Sequence, residues 1–76
     1  MITKHESIMR RIRKEKGLTQ QQLADRSYTC VMHISLIERG KRVPNIQMLV
    51  AIARGLEVNP HRLLEEYLNP NERIWR

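Results

Sequence analysis

An all-α fold of five helices is what this chain predicts, and three observations carry that expectation. Apolar residues recur at helical rather than alternating spacing. Cap residues and breakers fall at intervals that suit short helices, with Thr19, Asn45 and Asn59-Pro60 as openings and Gly17, Gly40 and Gly55 as stops. No stretch shows the period-two pattern of a strand, and there is no internal repeat or low-complexity segment. The 76 residues make one domain, with a core expected at about residues 8–68 and a short tail at 69–76. A chain of this size buries only roughly 60–65% of the surface its unfolded form exposes, so its stability is marginal and dimerisation would help.

The first helix is expected at about residues 4–16, opened by a capping-box spacing in Thr3-Lys4-His5-Glu6. Ile8, Met9 and Ile12 fall on one stripe of it, and Gly17 follows its Lys-rich last turn. The second begins after Thr19, which can cap it while Gln22, three residues on, reaches back; Leu23 and Ala24 face inward. The third covers about residues 31–39, with Ile34 and Ile37 inward and Gly40 as the stop. Pro44 disfavours helix before it and Asn45 caps the fourth, about residues 46–54, which buries Met48, Leu49, Ile52 and Ala53 and which Gly55 closes. Asn59 and Pro60 then open the fifth as cap and first helical residue, its apolar face made by Leu63, Leu64, Tyr67 and Leu68.

Charge and composition exclude several classes. Fourteen Lys and Arg stand against eight Asp and Glu, a net charge of +6 that suits a polyanionic partner or simply a solvated basic surface. The longest uninterrupted apolar run, residues 48–53, is six residues, far short of the ~20 that span a bilayer. The N-terminal residues lack the apolar region of a secretory signal, and a lone Cys30 cannot form an intrachain disulfide, so a reducing cytoplasm is expected. Cys30-x-x-His33 offers two metal ligands on one helix with no second pair, and neither a Gly-rich phosphate loop nor a nucleophile–base set is present. An enzyme, a metal, a cofactor and a small-molecule ligand are therefore not expected.

The most informative stretch is TQQQLADRSYTCVMHISLIERG, residues 19–40: two short helices joined by a tight turn, with basic runs before and after it. Taken with IRKEKGLTQQQLA and ISLIERGKRVPNIQMLVAIARGLEVNPHRLL, it resembles the lambda-repressor/Cro-type (XRE-like) helix-turn-helix domain of phage and bacterial regulators, over roughly residues 8–64 and without gaps. The resemblance implies a homodimer that binds a near-palindromic double-stranded DNA operator and regulates transcription, as a phage-type repressor or a restriction–modification controller does. The controller type is similar in length and five-helix build. An antitoxin-like module that uses the same scaffold to bind another protein is the alternative.

Residue by residue, the resemblance places Gln20 on a phosphate through its backbone N–H and side chain, at a helix end that carries partial positive charge. Arg13 and Glu38 match a pair that forms a buried salt bridge in the family, which is the expectation here; the alternative is two solvated charges on helix surfaces. Arg39, Lys41, Arg42 and Asn45 match backbone clamps after the recognition helix, and His33 and Arg10 are further candidates for the sugar-phosphate backbone. The outward positions that meet base edges are Val31, Met32, Ser35 and Leu36, a mainly apolar set suited to thymine methyls, or else core or a protein interface. Leu64, Tyr67, Leu68, Ile74 and Trp75 offer apolar surface for a dimer contact, unless Trp75 folds back onto its own domain.

Two departures from the family concern the turn before the recognition helix. Tyr28 stands where Gly is usual and the backbone often left-handed, so a different turn geometry is expected, with the ring on the surface or the hydroxyl on a phosphate. Cys30 stands where Ser or Thr is the usual N-cap, and a thiol is a poor acceptor.

Overall fold

The computed structural model describes residues 7–68, with side chains through Glu65. It contains five helices: α1 (Ile8–Glu15), α2 (Gln20–Arg26), α3 (Val31–Glu38), α4 (Ile46–Leu56) and α5 (Pro60–Leu68). Among the described residues there is no strand, and no helix is long and apolar enough to cross a membrane. α2 packs on both α3 and α4, α4 on α5, and α5 on α1. The core lies between them, built around Ile12, Leu23, Ile34, Ile52, Leu56 and Leu63, each at most 2% exposed. Met48, expected inside, is half-buried and packs at the edge of that core.

Local chemistry explains the openings. Thr19 Oγ1 accepts from the Gln22 N–H at 3.0 Å while Gln22 Oε1 accepts from the Thr19 N–H at 2.8 Å, a complete capping box. Asn45 Oδ1 accepts from the Met48 N–H and Asn59 Oδ1 from the His61 N–H, both at 2.8 Å. Cys30 makes no side-chain cap bond, so α3 starts without one. α1 begins at Ile8, later than expected, because Ser7 is extended and its hydroxyl accepts from the Arg10 N–H. The Thr3 to Glu6 capping box lies outside the described residues.

The four ends after α1, α2, α3 and α4 share one device. A residue in the left-handed region, φ between 60° and 75°, is followed by an N–H that bonds back five residues: Leu18 to Arg13, Thr29 to Ala24, Lys41 to Leu36 and Val58 to Ala53. Gly17 and Gly40 fill that position after α1 and α3, at no steric cost. Tyr28 and Glu57 fill it after α2 and α4. The turn before the recognition helix therefore keeps its left-handed residue despite the missing glycine, which corrects the expectation of a different geometry. Gly55 is likewise not a stop: α4 runs through it to Leu56, and Gly55 is buried against α2.

The strain at Tyr28 is testable. A side chain in the left-handed region costs about 1–2 kcal/mol, while glycine returns roughly 0.5–1 kcal/mol of that through its freer unfolded chain. Tyr28 is 93% exposed and has little packing to lose. Tyr28→Gly is expected to stabilise the domain by about 0.5–1 kcal/mol, read as a higher urea midpoint at unchanged slope. A lower midpoint would mean that the ring makes contacts worth more than the strain.

Candidate nucleic-acid interface

α3 has two faces of opposite character. Ile34 and Ile37 are 0% and 2% exposed and anchor it to the core. At about 3.6 residues per turn, Met32, Leu36 and Arg39 lie on the opposite side. Met32 is 66% and Val31 38% exposed, while Ser35 and Leu36 are half-buried. Among the described residues, the large apolar side chains that are exposed are Val31 and Met32 in α3, Tyr28 in the turn before it, Val43 in the loop after it and Ile46 at the start of α4. Exposed apolar side chains that lie together, as Val31 and Met32 do at the start of α3, mark a contact surface.

A shallow open groove of about 230 Å³ runs along that face, lined by Cys30, Met32, His33, Leu36 and Arg42. His33 is half-buried, and its Nδ1 lies 3.0 Å from Thr29 Oγ1, which fixes the ring and leaves Nε2 as its other polar atom. Arg39, Lys41 and Arg42 are exposed at the C-terminal end of α3 and on the loop after it. Arg39 Nε also donates to the Ser35 carbonyl at 3.4 Å, a weak bond. Asn45 is exposed, with its side chain engaged as the α4 cap. Among the described residues no three His, Cys, Asp or Glu side chains come together to hold a metal.

What fixes α3 to the rest of the protein is a buried polar cluster. Arg13 Nε donates to Glu38 Oε2 at 2.6 Å and Arg13 Nη2 to Glu38 Oε1 at 3.2 Å, a two-point pairing between α1 and the end of α3. The two side chains are 10% and 2% exposed. Arg13 Nη1 donates to the Leu18 carbonyl at 2.8 Å, and Gln20 Nε2 donates to Glu38 Oε1 at 3.0 Å. Glu38 thus binds α1, the start of α2 and α3 at one point.

Gln20 has a place that sequence reasoning missed. Its side-chain amide nitrogen is committed inward to Glu38, so its outward capacity for a phosphate lies with the backbone N–H at the start of α2, which has no acceptor among the described residues. Nothing in the spacing of residues 20 and 38 announces that bond; the Thr29–His33 pair, four apart across the α3 start, was legible in principle. Arg10 is exposed on α1, and among the described residues its side chain shares no hydrogen bond with the α3 set. Leu64 is half-buried and packs against the core of its own chain. The side chains of Tyr67 and Leu68, and all of Ile74 and Trp75, lie outside the described residues.

Comparison with known proteins gives a consistent set of likenesses. The family model described as helix-turn-helix matches residues 9–63. An uncharacterized HTH-type transcriptional regulator, y4dJ of Sinorhizobium fredii, is 41% identical over 49 residues, which is 64% of this chain and 64% of that protein. The chain thus spans just under two thirds of that relative's length. The restriction-modification controller protein C.AhdI from Aeromonas hydrophila superposes with a TM-score of 0.71 at 31% identity, covering 72% of this chain and 80% of that one. The wild-type restriction-modification controller protein C.Esp1396I gives a TM-score of 0.67 at 40% identity, covering 80% of this chain and 83% of that one.

Proposed function

The chain belongs to the XRE-like helix-turn-helix family, and from that premise we propose that it is a sequence-specific DNA-binding transcriptional regulator, not an enzyme, acting in the cytoplasm as a homodimer on a near-palindromic operator. The observation that carries this reading is the outer face of α3, exposed and apolar at Val31 and Met32 and flanked by the exposed cations Arg39, Lys41 and Arg42. α3 enters the major groove, and Val31, Met32, Ser35 and Leu36 meet base edges. Arg39, Lys41, Arg42 and Asn45, with His33, Arg10 and the Gln20 backbone N–H, hold the phosphate strands. Likeness to two restriction-modification controller proteins supports a controller of that kind over a phage-type repressor. Leu64, Tyr67, Leu68, Ile74 and Trp75 supply the dimer contact, which sets the two recognition helices about 34 Å apart.

Footprinting the purified protein on its own upstream DNA tests this directly. The expected result is one protected region of two related half-sites, bound more weakly as salt rises. Arg42→Ala should weaken all sites alike and reduce the slope of log affinity against log salt by about 0.9, the share of one phosphate contact. Equal binding to any DNA would reject an operator. Lack of DNA binding with retained fold would favour the protein-interaction reading, which the apolar character of Met32 and Leu36 also suits.

A further inference from the structure

We infer that α3 reads pyrimidines through their C5-methyl groups, so that this protein's affinity for DNA rises with thymine or 5-methylcytosine, and falls with uracil or cytosine, at the bases facing Met32 and Leu36. The inference rests on the operator reading above and specifies what that surface selects.

It starts from what the face of α3 lacks. Bidentate reading of a purine needs Arg or Lys for guanine, or Asn or Gln for adenine. None of these types stands among residues 31–38, and Arg39, on the same side at the C-cap, turns its Nε back to the Ser35 carbonyl. Hydrogen-bonding side chains on that helix are few: Ser35 is half-buried, Glu38 is buried in the Arg13 cluster, and His33 has one ring nitrogen held by Thr29. Pressing Met32 against the N7 and O6 of guanine, or the N4 amino group of cytosine, would strip water from polar atoms without replacing their hydrogen bonds. The C5-methyl of a pyrimidine is the apolar feature that the major groove offers.

The groove suits that group. Met32 and Leu36 stand one helical turn apart along it, and the exposed Arg42 also lines it, a cation to hold the adjacent phosphate strand. A methionine side chain adapts to an irregular apolar surface better than a branched one. Burying one methyl contributes about 0.8 kcal/mol, which is about fourfold in affinity. Thymine and 5-methylcytosine carry the same methyl but differ beside it in the groove, an O4 acceptor against an N4 donor, so the methyl is read by comparing each base with its own unmethylated form.

The full-length protein, incubated with a random duplex library, should enrich sites with thymine at fixed positions in each half-site. Duplexes of the enriched sequence are then made with uracil for thymine, one position at a time, and separately with 5-methylcytosine for cytosine. About a fourfold loss is expected at each contacted thymine on change to uracil. Where a cytosine variant of a contacted position is used, its methylation should recover affinity by a similar factor. Met32→Ala should abolish the uracil penalty at one position per half-site and leave the others. Specific binding that ignores every uracil substitution would overturn this inference alone. A cytosine whose methylation recovers nothing, at a position where uracil for thymine lowers affinity about fourfold, would overturn the shared-methyl part of it. Enrichment of no sequence at all would overturn the operator reading and this inference together.

Discussion

Replacing Arg13 by alanine should lower the free energy of unfolding by about 3–5 kcal/mol, the range for breaking a buried ion pair from one side. A domain of this length loses about 4–8 °C of melting temperature per kcal/mol, so the midpoint should fall by at least about 12 °C. The reason lies with the partner left behind. Glu38, 2% exposed, would lose the Arg13 donor at each oxygen and keep only Gln20 Nε2, on Oε1. Glu38→Ala should cost less, because Arg13 is the more exposed of the two at 10% and keeps the Leu18 carbonyl. Glu38→Gln is not a mild change here. Both carboxylate oxygens face N–H donors, so either orientation of an amide sets one N–H against another.

The same series separates stability from positioning. Replacing Arg13 and Glu38 together by methionine removes both charges and keeps the volume, and should recover most of the loss. The double variant nevertheless lacks the polar tie from α1 and Gln20 to the end of α3, so its DNA affinity should fall while its melting point recovers. Thermal melting by circular dichroism, paired with a gel-shift titration, reads both quantities. A single Arg13→Ala variant that melts within about 3 °C of the parent would show that solvent reaches the pair and that α3 is held by packing alone.

Openings and ends of helices differ in how far the residues reveal them. A cap is a bond between neighbours, so Thr19 with Gln22, Asn45 and Asn59 are legible as they stand in the chain. Ser7, the N-cap of α1, is also a good capping type, but the capping-box spacing draws the expectation to Thr3 instead. Ends are harder, because the left-handed turn that closes a helix is a backbone state that glycine favours but does not own. Gly17 and Gly40 announce it; Tyr28 and Glu57 adopt it unannounced. Gly55 misleads for the opposite reason: its missing side chain serves a contact with α2, twenty-eight to thirty-two residues earlier in the chain.

The candidate interface divides along the same line. Which α3 residues face outward follows from the helical period and from Ile34 and Ile37 taking the inner face. The pairing of Arg13 with Glu38 is reached through family resemblance, since a separation of twenty-five residues carries no local signal. The bond from Gln20 to Glu38 is reached by neither route. Gln20 suits a phosphate site by its position at a helix start, and only the folded chain brings the Glu38 carboxylate to it.

Gly55→Ala should destabilise the domain by about 1–3 kcal/mol, the usual cost of an added methyl in a filled space. In an exposed helix the same change would gain about 1 kcal/mol, so its sign is diagnostic. An added Cβ would sit 2.9 Å from Ser27 Oγ, 3.1 Å from Arg26 Cβ and 3.2 Å from Leu23 Cδ1. Leu23 is fully buried and cannot withdraw without disturbing the core. Arg26 is tied across the same junction, its Nη1 donating to the Gly55 carbonyl at 3.2 Å. Ser27 offers the one soft contact, and it has a cost of its own: its hydroxyl is buried with no hydrogen-bond partner among the described residues. Ser27→Ala alone should therefore stabilise by roughly 1 kcal/mol, the low end of the penalty for an unpaired buried polar group. In that background Gly55→Ala should cost less than it does in the parent, since the shortest contact is gone while the other two remain. Urea unfolding of the four proteins gives the coupling between the two sites. A stabilising Gly55→Ala would mean that α2 and α4 are not in close contact at this point. Additive effects would mean that Arg26 and Leu23, rather than the hydroxyl, set their spacing.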